Sequence, residues 1–491
     1  MGELAVKTEK ESSLLMLDEL LSSVKGSIIG DSFDSKNFSF LSVVTDSRNV
    51  VLKTLFVPLI GEFQDGHKYI PQAIEKGASA VFVAKSAYFD DCEFFENLAE
   101  KNPSVLFVLV KNTLTALQNA AQRYVENFPN LIRVSVTGSS GKTTTKEIAA
   151  SILRQKYSVV CNKGNLNSET GLPLSCFEIK KEHQVALLEM GMNRKNEIEE
   201  IARVFKPQFA AITNIGTAHI GKLGSRKKIA KEKKKIFSYV KKTGACVIPY
   251  GDDFAKFLSR GVKGRIVYYG DECSMDGIEF VCDEGIDGSL FKVDGLLTRL
   301  PLPGKYNYLN ALAAVQLARL LNVPCELIKK GIEEVKPLGG RSNILKGFYT
   351  ILDDCYNANP DSMEKAVEFS TGLTGFEKKI FVLGSMLELG EESLQAHKAA
   401  VLVAFEGGAD MIVLVGKEMI AGLKEAEKIA SSNKNLRLIC FEEHDDAVIQ
   451  KIASLIKEFA SSKDFILLKG SNGIGLGRLI PLLNVEGEKN A

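Results

Sequence analysis

The segment Val134-Ser-Val-Thr137-Gly138-Ser139-Ser140-Gly141-Lys142-Thr143-Thr144-Thr145 restricts this chain more than any other. Before it, residues 131–136 alternate into β-branched side chains, which predicts a short buried strand. After it, Ile148, Ala149, Ile152 and Leu153 recur at helical spacing, so a helix should begin near Thr143. A strand that runs through a glycine turn into a helix N-terminus suits an anion. The glycines let backbone N–H groups come close, and the helix dipole favours negative charge there. Lys142 would reach terminal phosphates, and the Thr143 hydroxyl would sit on Mg²⁺. The usual phosphate loop has a glycine five residues before Gly141, where this chain has Val136, so the loop is the shortened Gly-Ser-Ser-Gly-Lys-Thr. Residues Thr137, Gly138, Ser139, Ser140, Gly141, Lys142, Thr143 and Thr144 are read as an ATP-binding cradle.

A chain of 491 residues is too long for one core, and its length suggests about three domains. The pattern divides it into α/β units over residues 1–128, 129–336 and 337–491. In the first, a helical start at 14–21 leads to probable strands at 40–44, 80–84 and 105–110, with an apolar segment at 54–58 and a helix at 73–77. In the second, strand-like runs at 186–190, 209–213 and 246–249 alternate with helices at 195–205 and 229–240, as in a mostly parallel sheet. Residues 252–300, rich in turns, should form a small β-rich insertion, and 311–321 an Ala-rich helix. Val335-Lys-Pro-Leu-Gly-Gly340-Arg341 punctuates the chain as a hinge. Beyond it, strands at 350–353, 379–383, 411–415 and 465–468 alternate with helices near 361–371, 392–405, 417–430 and 446–460, a doubly wound pattern.

Composition removes several function classes. A net charge of +1 gives no overall pull toward nucleic acid or membrane. Nine cysteines are scattered without a C-x-x-C pair, which fits reduced thiols rather than a disulfide framework or zinc ribbon. Residues 1–11 mix charges and precede no long apolar run, so no secretory signal is expected. No stretch approaches the roughly 20 apolar residues that span a bilayer. A soluble, cytoplasmic monomer acting on small molecules is the expectation.

Two residues near the loop carry chemistry on local grounds. Glu189, at a strand end, could hold Mg²⁺ through oxygen or serve as a surface or helix-start glutamate. His219, in the next loop, could be a ligand or a packing histidine. The Lys-rich run 227–235 reads first as a solvated helix, and Thr45-Asp46-Ser47-Arg48 as a solvated turn or a guanidinium phosphate clamp.

Taken together, Gly138-Ser-Ser-Gly-Lys-Thr-Thr144, Gly164-Asn-Leu-Asn167, Glu189-Met-Gly-Met-Asn193, Thr213-Asn-Ile-Gly-Thr-Ala-His219 and Asp353-Asp-Cys-Tyr-Asn-Ala-Asn-Pro-Asp-Ser362 resemble the Mur ligase family. Leu383-Gly-Ser-Met-Leu-Glu-Leu-Gly-Glu391 and Leu468-Lys-Gly-Ser471 extend the likeness into the third unit. The resemblance points to the branch that joins D-alanyl-D-alanine to UDP-N-acetylmuramoyl-tripeptide with ATP. It implies Lys142, Glu189, His219, Lys233 and Arg341 as catalytic residues, with Thr143, Glu189, His219 and Lys233 at Mg²⁺. By the same resemblance Lys233 is the lysine that these ligases carbamylate, although Lys231, Lys234 and Lys235 leave other registers open. Asn307, Asn310, Arg341 and Asp354 would contact the nucleotide. Thr45, Ser47, Arg48, Asp65, His67, Asn165, Asn357 and Asn359 would contact the other substrates. Three positions depart from the family pattern: Ser385 replaces a usual aspartate, and Ser168 and Thr170 interrupt an Asn-rich run. Alternatives are a sister ligase that adds a single amino acid, or a phosphate-loop kinase or nucleotide switch.

Overall fold

Short apolar runs separated by amphipathic stretches give parallel strands covered by helices, because strands buried on both faces must be apolar throughout. The computed structural model describes residues 13–33, 35, 38–271, 275–421 and 436–483. Residues 1–11, read above for a signal, lie outside them, as does the expected helix 417–430 beyond its described start, Lys417–Ile420. The chain divides into two compact units.

The first unit holds residues 1–133, 160–192 and 197–207. Its five-stranded sheet runs in the order Ser27–Ile28, Leu106–Val110, Ala78–Ala84, Thr54–Phe56, Ser42–Val44. All neighbours are parallel except the antiparallel edge strand Ser27–Ile28. Phe56, Val81, Val83, Phe95 and Phe107 form part of one buried cluster against this sheet. Helix Thr113–Glu126, capped by Asn112 accepting from the Thr115 N–H at 2.9 Å, was not anticipated. Strand Val185–Glu189, buried at all five positions, also belongs here and carries Glu189 at its carboxyl end.

The second unit holds residues 134–159, 193–196 and 208–491. Strands Arg265–Tyr269, Ala245–Pro249, Phe209–Ile212 and the phosphate-loop strand Ile132–Thr137 follow one another in parallel. The expectation of a β-rich insertion over 252–300 is corrected here. Arg265–Tyr269 pairs in register with Ala245–Pro249, and only Ile278–Asp283, Ser289–Val293 and Leu296–Leu300 make a separate antiparallel sheet. Helix Lys142–Arg154 packs on Lys305–Leu320 and on Cys325–Glu333. A Cβ on Gly331 would lie 2.3 Å from the Ile152 Cα, so the second of these contacts needs glycine.

The C-terminal sheet runs in the order Asn343–Lys346, Thr350–Asp354, Phe465–Lys469, Lys379–Gly384, Met411–Val415, Arg437–Phe441. All pairs are parallel except the antiparallel Asn343–Lys346 edge. The two strands that sequence patterning missed, Asn343–Lys346 and Arg437–Phe441, are the two edges. Edge strands are less buried, and nearly all their residues are half-buried here, so they lack the continuous apolar signal of the interior strands. Among the described residues no helix is long and apolar enough to cross a membrane.

Candidate functional site

The phosphate loop is shaped by backbone contacts that only small residues allow. A Cβ on Gly138 would lie 1.7 Å from the Thr213 Oγ1. Gly141, at φ +77°, would drive one to within 2.3 Å of the Asn310 Oδ1. The segment after strand Phe209–Ile212 pins the loop from the side. Thr213 Oγ1 donates to the Ser140 carbonyl at 2.5 Å, and Asn214 brackets Ser140, its Nδ2 donating to that carbonyl at 3.0 Å and its Oδ1 accepting from the Ser140 N–H at 3.1 Å. Ser139 Oγ accepts from the Gly216 N–H at 2.8 Å. Thr137 is buried at the end of its strand, and on the first turn of the helix, which has no side-chain cap at Gly141, Thr143 is buried and Thr144 half-buried. Asn310 and Asn307 back this turn from their own helix. Asn310 accepts from the Thr145 hydroxyl at 3.2 Å and donates to the Asn307 Oδ1 at 3.2 Å, while Asn307 donates to the Pro303 carbonyl at 2.8 Å.

Two lysines converge on one carbonyl. Lys142 Nζ donates to Gly138 O at 2.9 Å and to Ser139 O at 3.2 Å, and Lys233 Nζ donates to the same Gly138 O at 2.7 Å. Helix Arg226–Lys234 separates the lysine run by phase. Lys233 is 1% exposed, Lys231 is exposed, Lys234 donates to the Phe257 and Arg260 carbonyls, and Lys235 pairs with Glu232 at 3.1 Å. His219 stands beside this positive charge at φ +63°. Desolvation first, then Lys233 and Lys142, push its pKa down to about 4, against the pull of Glu388. Among the described residues no three His, Cys, Asp or Glu converge on a point where a metal could bind. A Mg²⁺ at the loop would therefore draw on the Thr143 hydroxyl and take most of its shell from phosphate oxygens and water.

The C-terminal domain reaches the loop through Asn359 and the segment beside it through Asp361, while Arg341, Asp354 and Asn357 contact residues of their own domain. Asn359 caps helix Pro360–Gly372 and donates through Nδ2 to the Ser140 Oγ at 3.0 Å. Asp361, two residues on, accepts from the Thr217 N–H at 2.7 Å and the Thr217 hydroxyl at 2.8 Å. Arg341 lies over the Tyr356 ring, 4.0 Å from its centroid. Asp354 accepts from the Ser342 N–H at 3.0 Å and pairs with buried Lys469 at 2.7 Å. Exposed Asn357 lends its carbonyl to Lys469 at 2.8 Å.

In the first unit, Glu189 is 2% exposed and held from three directions. Asn162 accepts from its N–H at 3.0 Å and donates to its carbonyl at 3.1 Å, and Asn167 Nδ2 donates to its Oε1 at 2.7 Å. Asn165 is exposed, and its carbonyl accepts from the Asn167 N–H at 2.7 Å. Ser168 Oγ accepts from the Gly171 N–H at 3.2 Å, and Thr170 leads into helix Gly171–Cys176, so both departures from the Asn-rich pattern sit at that helix start. Thr45 is half-buried, and Ser47 is buried and donates to Gln72 at 2.8 Å. Arg48 is 84% exposed and folded on Asp46 at 2.6 Å, whose carboxyl its hydrogen bonds hold at about 2. His67 is fully engaged: Nδ1 meets the Asp65 carboxylate at 2.5 Å and Nε2 accepts from the Ala84 N–H at 2.9 Å. That acceptor role places its proton on Nδ1.

Sequence reasoning assigned no role to Asn162, Thr213, Asp361, Glu388 or Lys469. Four of these lie inside motifs already singled out, so the signal was present as a segment, but the partner of each side chain was not. Ser385 is buried, and its Oγ lies 3.4 Å from the Val415 carbonyl.

Comparison with known proteins returns three family models in chain order. "Mur ligase family, catalytic domain" matches residues 40–125, "Mur ligase middle domain" 136–318, and "Mur ligase, glutamate ligase domain" 340–472. A UDP-N-acetylmuramoyl-tripeptide–D-alanyl-D-alanine ligase of Treponema pallidum is 38% identical over 478 residues, covering 96% of this chain and 100% of the relative. The crystal structure of MurF from Acinetobacter baumannii superposes with a TM-score of 0.82 at 28% identity, covering 96% of this chain and 98% of that one. MurF ligase from Thermotoga maritima in complex with ADP gives 0.76 at 27% identity, over 92% and 98% of the two chains.

Proposed function

Because this chain belongs to the Mur ligase family, we propose that it joins D-alanyl-D-alanine to UDP-N-acetylmuramoyl-tripeptide at the expense of ATP, forming the pentapeptide precursor of peptidoglycan in the cytoplasm. The observation that carries this reading is a glycine loop at a helix start whose Gly138 carbonyl is reached by both Lys142 and the buried Lys233. Such a loop, with Lys142 as its cation, favours a polyphosphate, and Lys233 beside it is placed to serve the metal once carbamylated.

The tripeptide's terminal carboxylate attacks the γ-phosphorus of ATP and ADP departs, leaving an acyl phosphate. The free amine of D-alanyl-D-alanine attacks the acyl carbon, loses a proton and expels phosphate. No side-chain nucleophile is needed, and holding the reactants in line supplies much of the acceleration. Lys142 binds the terminal phosphates, Thr137 to Thr144 orient them, and Asn307, Asn310, Arg341 and Asp354 hold the nucleotide. Thr143, Glu189, His219 and a carbamylated Lys233 would hold Mg²⁺, which neutralises charge on the transferring phosphoryl group. Carbamylation suits Lys233 because it turns a buried cation into an oxygen donor. Residues 1–128 take the UDP end, with Thr45, Ser47 and Arg48 in contact and Asp65 and His67 bracing the turn, and Asn165 lies on the peptide side. Residues 129–336 bind ATP. Residues 337–491 complete the site and, through Asn357 and Asn359, the approach of the amine. The enzyme acts as a monomer.

The test is phosphate release by the purified protein with ATP, Mg²⁺ and UDP-muramoyl tripeptide, with and without D-alanyl-D-alanine, with mass spectrometry of the product. Dipeptide-stimulated release, with a product heavier by the dipeptide less one water, is expected. Stimulation by single amino acids instead would move the chain to a sister ligase, and amine-independent hydrolysis would make it a nucleotide switch.

A further inference from the structure

His219 is presented by a local device that the nucleotide site does not explain. Its backbone is left-handed at φ +63°, and the residue it meets, Glu388, is left-handed too, at φ +66°. Two non-glycine residues in that sparsely populated region, facing each other from distant parts of the chain, mark a conformation imposed by their surroundings. Glu388 Oε2 lies 3.0 Å from the His219 Nδ1, and its other oxygen, Oε1, accepts from Lys222 Nζ at 3.1 Å. Beside this contact the two segments meet backbone to backbone. A Cβ on Gly221 would lie 2.6 Å from the Gly390 N and 2.7 Å from the Glu388 carbonyl oxygen. One on Gly390 would lie 2.9 Å from the Gly221 Cα. Neither glycine can take a side chain without parting the segments.

We propose that Glu388 is a positioning residue for His219. Its carboxylate takes the Nδ1 proton and so leaves Nε2 as the unprotonated ring nitrogen, the one able to bind a ligand. Lys222 steers the carboxylate by holding its second oxygen, and the Gly221–Gly390 contact sets the distance. Because Glu388 belongs to the C-terminal sheet domain and His219 to the phosphate-loop domain, the histidine takes this tautomer only when residues 386–390 are seated on residues 219–223. Correct presentation of His219 is thereby conditional on domain docking. The catalytic consequence rests on the reading of His219 as a Mg²⁺ ligand. The tautomer itself does not.

The chain has five histidines, so ring-¹⁵N labelling of histidine gives a spectrum in which His219→Gln identifies the His219 signals. In the nucleotide-free full-length enzyme at pH 8, His219 should show the Nδ1–H pattern. Glu388→Ala should shift it toward Nε2–H, the form favoured by a free imidazole, and Glu388→Gln, which still offers an acceptor oxygen, should keep Nδ1–H. In turnover, Glu388→Ala should raise the Mg²⁺ concentration for half-maximal rate about tenfold to a hundredfold, the usual cost of losing such a partner, and Glu388→Gln should recover most of it. An Nε2–H pattern in the wild type, or an unchanged one in Glu388→Ala, overturns the proposal. A shifted tautomer with unchanged Mg²⁺ dependence upholds the positioning and removes His219 from the metal.

Discussion

The phosphate loop and the Thr45–Arg48 turn were both marked by their sequences, yet they are built on opposite plans. In the loop, Gly138 and Gly141 touch the side chains of Thr213 and Asn310 so closely that no Cβ fits, and Lys233 is buried against the Gly138 carbonyl. In the turn, Ser47 is tied inward to Gln72 while Arg48 stands 84% exposed with its guanidinium on Asp46. A phosphoryl group in transfer needs fixed donors at fixed points, which a stiff backbone supplies. Holding a substrate far from the reacting atoms needs only a charge that can be redirected. The contrast is between geometry that cannot relax and a side chain that can.

That contrast can be broken by substitution. Lys233→Ala should lower ligation roughly a thousandfold, in the range for losing one preorganised charge at a reaction centre. The circular dichroism spectrum should stay native, and substantial retained turnover would remove Lys233 from the chemistry. Gly138→Ala forces the loop off Thr213, and displacement of about 1 Å at a reacting centre costs on the order of a hundredfold. Turnover and the affinity for a fluorescent ATP analogue should fall together, and near-normal values would show that the loop yields after all.

His219 sharpens the comparison through pH. Its folded pKa, about 4, lies below the ordinary histidine value, so the unfolded chain takes up the proton first as pH falls. The stability tied to neutral His219 is present above about pH 6.5 and is lost as pH falls toward 4, on the order of 2 kcal/mol. Urea melts of the nucleotide-free protein should show a smaller loss over this window for His219→Gln. Parallel curves would mean the charge around His219 is screened. Arg48→Ala should have the smallest effect, a rise of about tenfold in KM for the UDP substrate, as for one charge-assisted contact, with stability within about 0.5 kcal/mol of wild type. An effect as large as that of Gly138→Ala would erase the distinction between the two regions.

Much of the architecture was legible in advance because interior parallel strands are apolar along their whole length. Met411–Val415 and Leu106–Val110 lie within a residue of where their patterns placed them. Arg437–Phe441 and Asn343–Lys346 escaped because edge strands carry a diluted pattern, and Arg265–Tyr269 because its pairing partner could not be read from its own residues. The motif segments of the site were visible too, but the pairings inside them were not. Charge and hydropathy alone do not distinguish the lysine at 233 from those at 231, 234 and 235, and nothing local says that the carboxylate at 388 will meet the imidazole at 219.

The sequence by itself determined a glycine turn between strand and helix and a succession of α/β units, and it nominated a short list of side chains for the reaction. These follow from local rules: glycine's freedom, hydrophobic period and the dipole of a helix start. Tertiary structure decided which lysine is buried, which asparagines hold Glu189, and which distant carboxylate orients His219. Helix phase and domain docking set those pairings, and both depend on contacts between residues far apart in the chain.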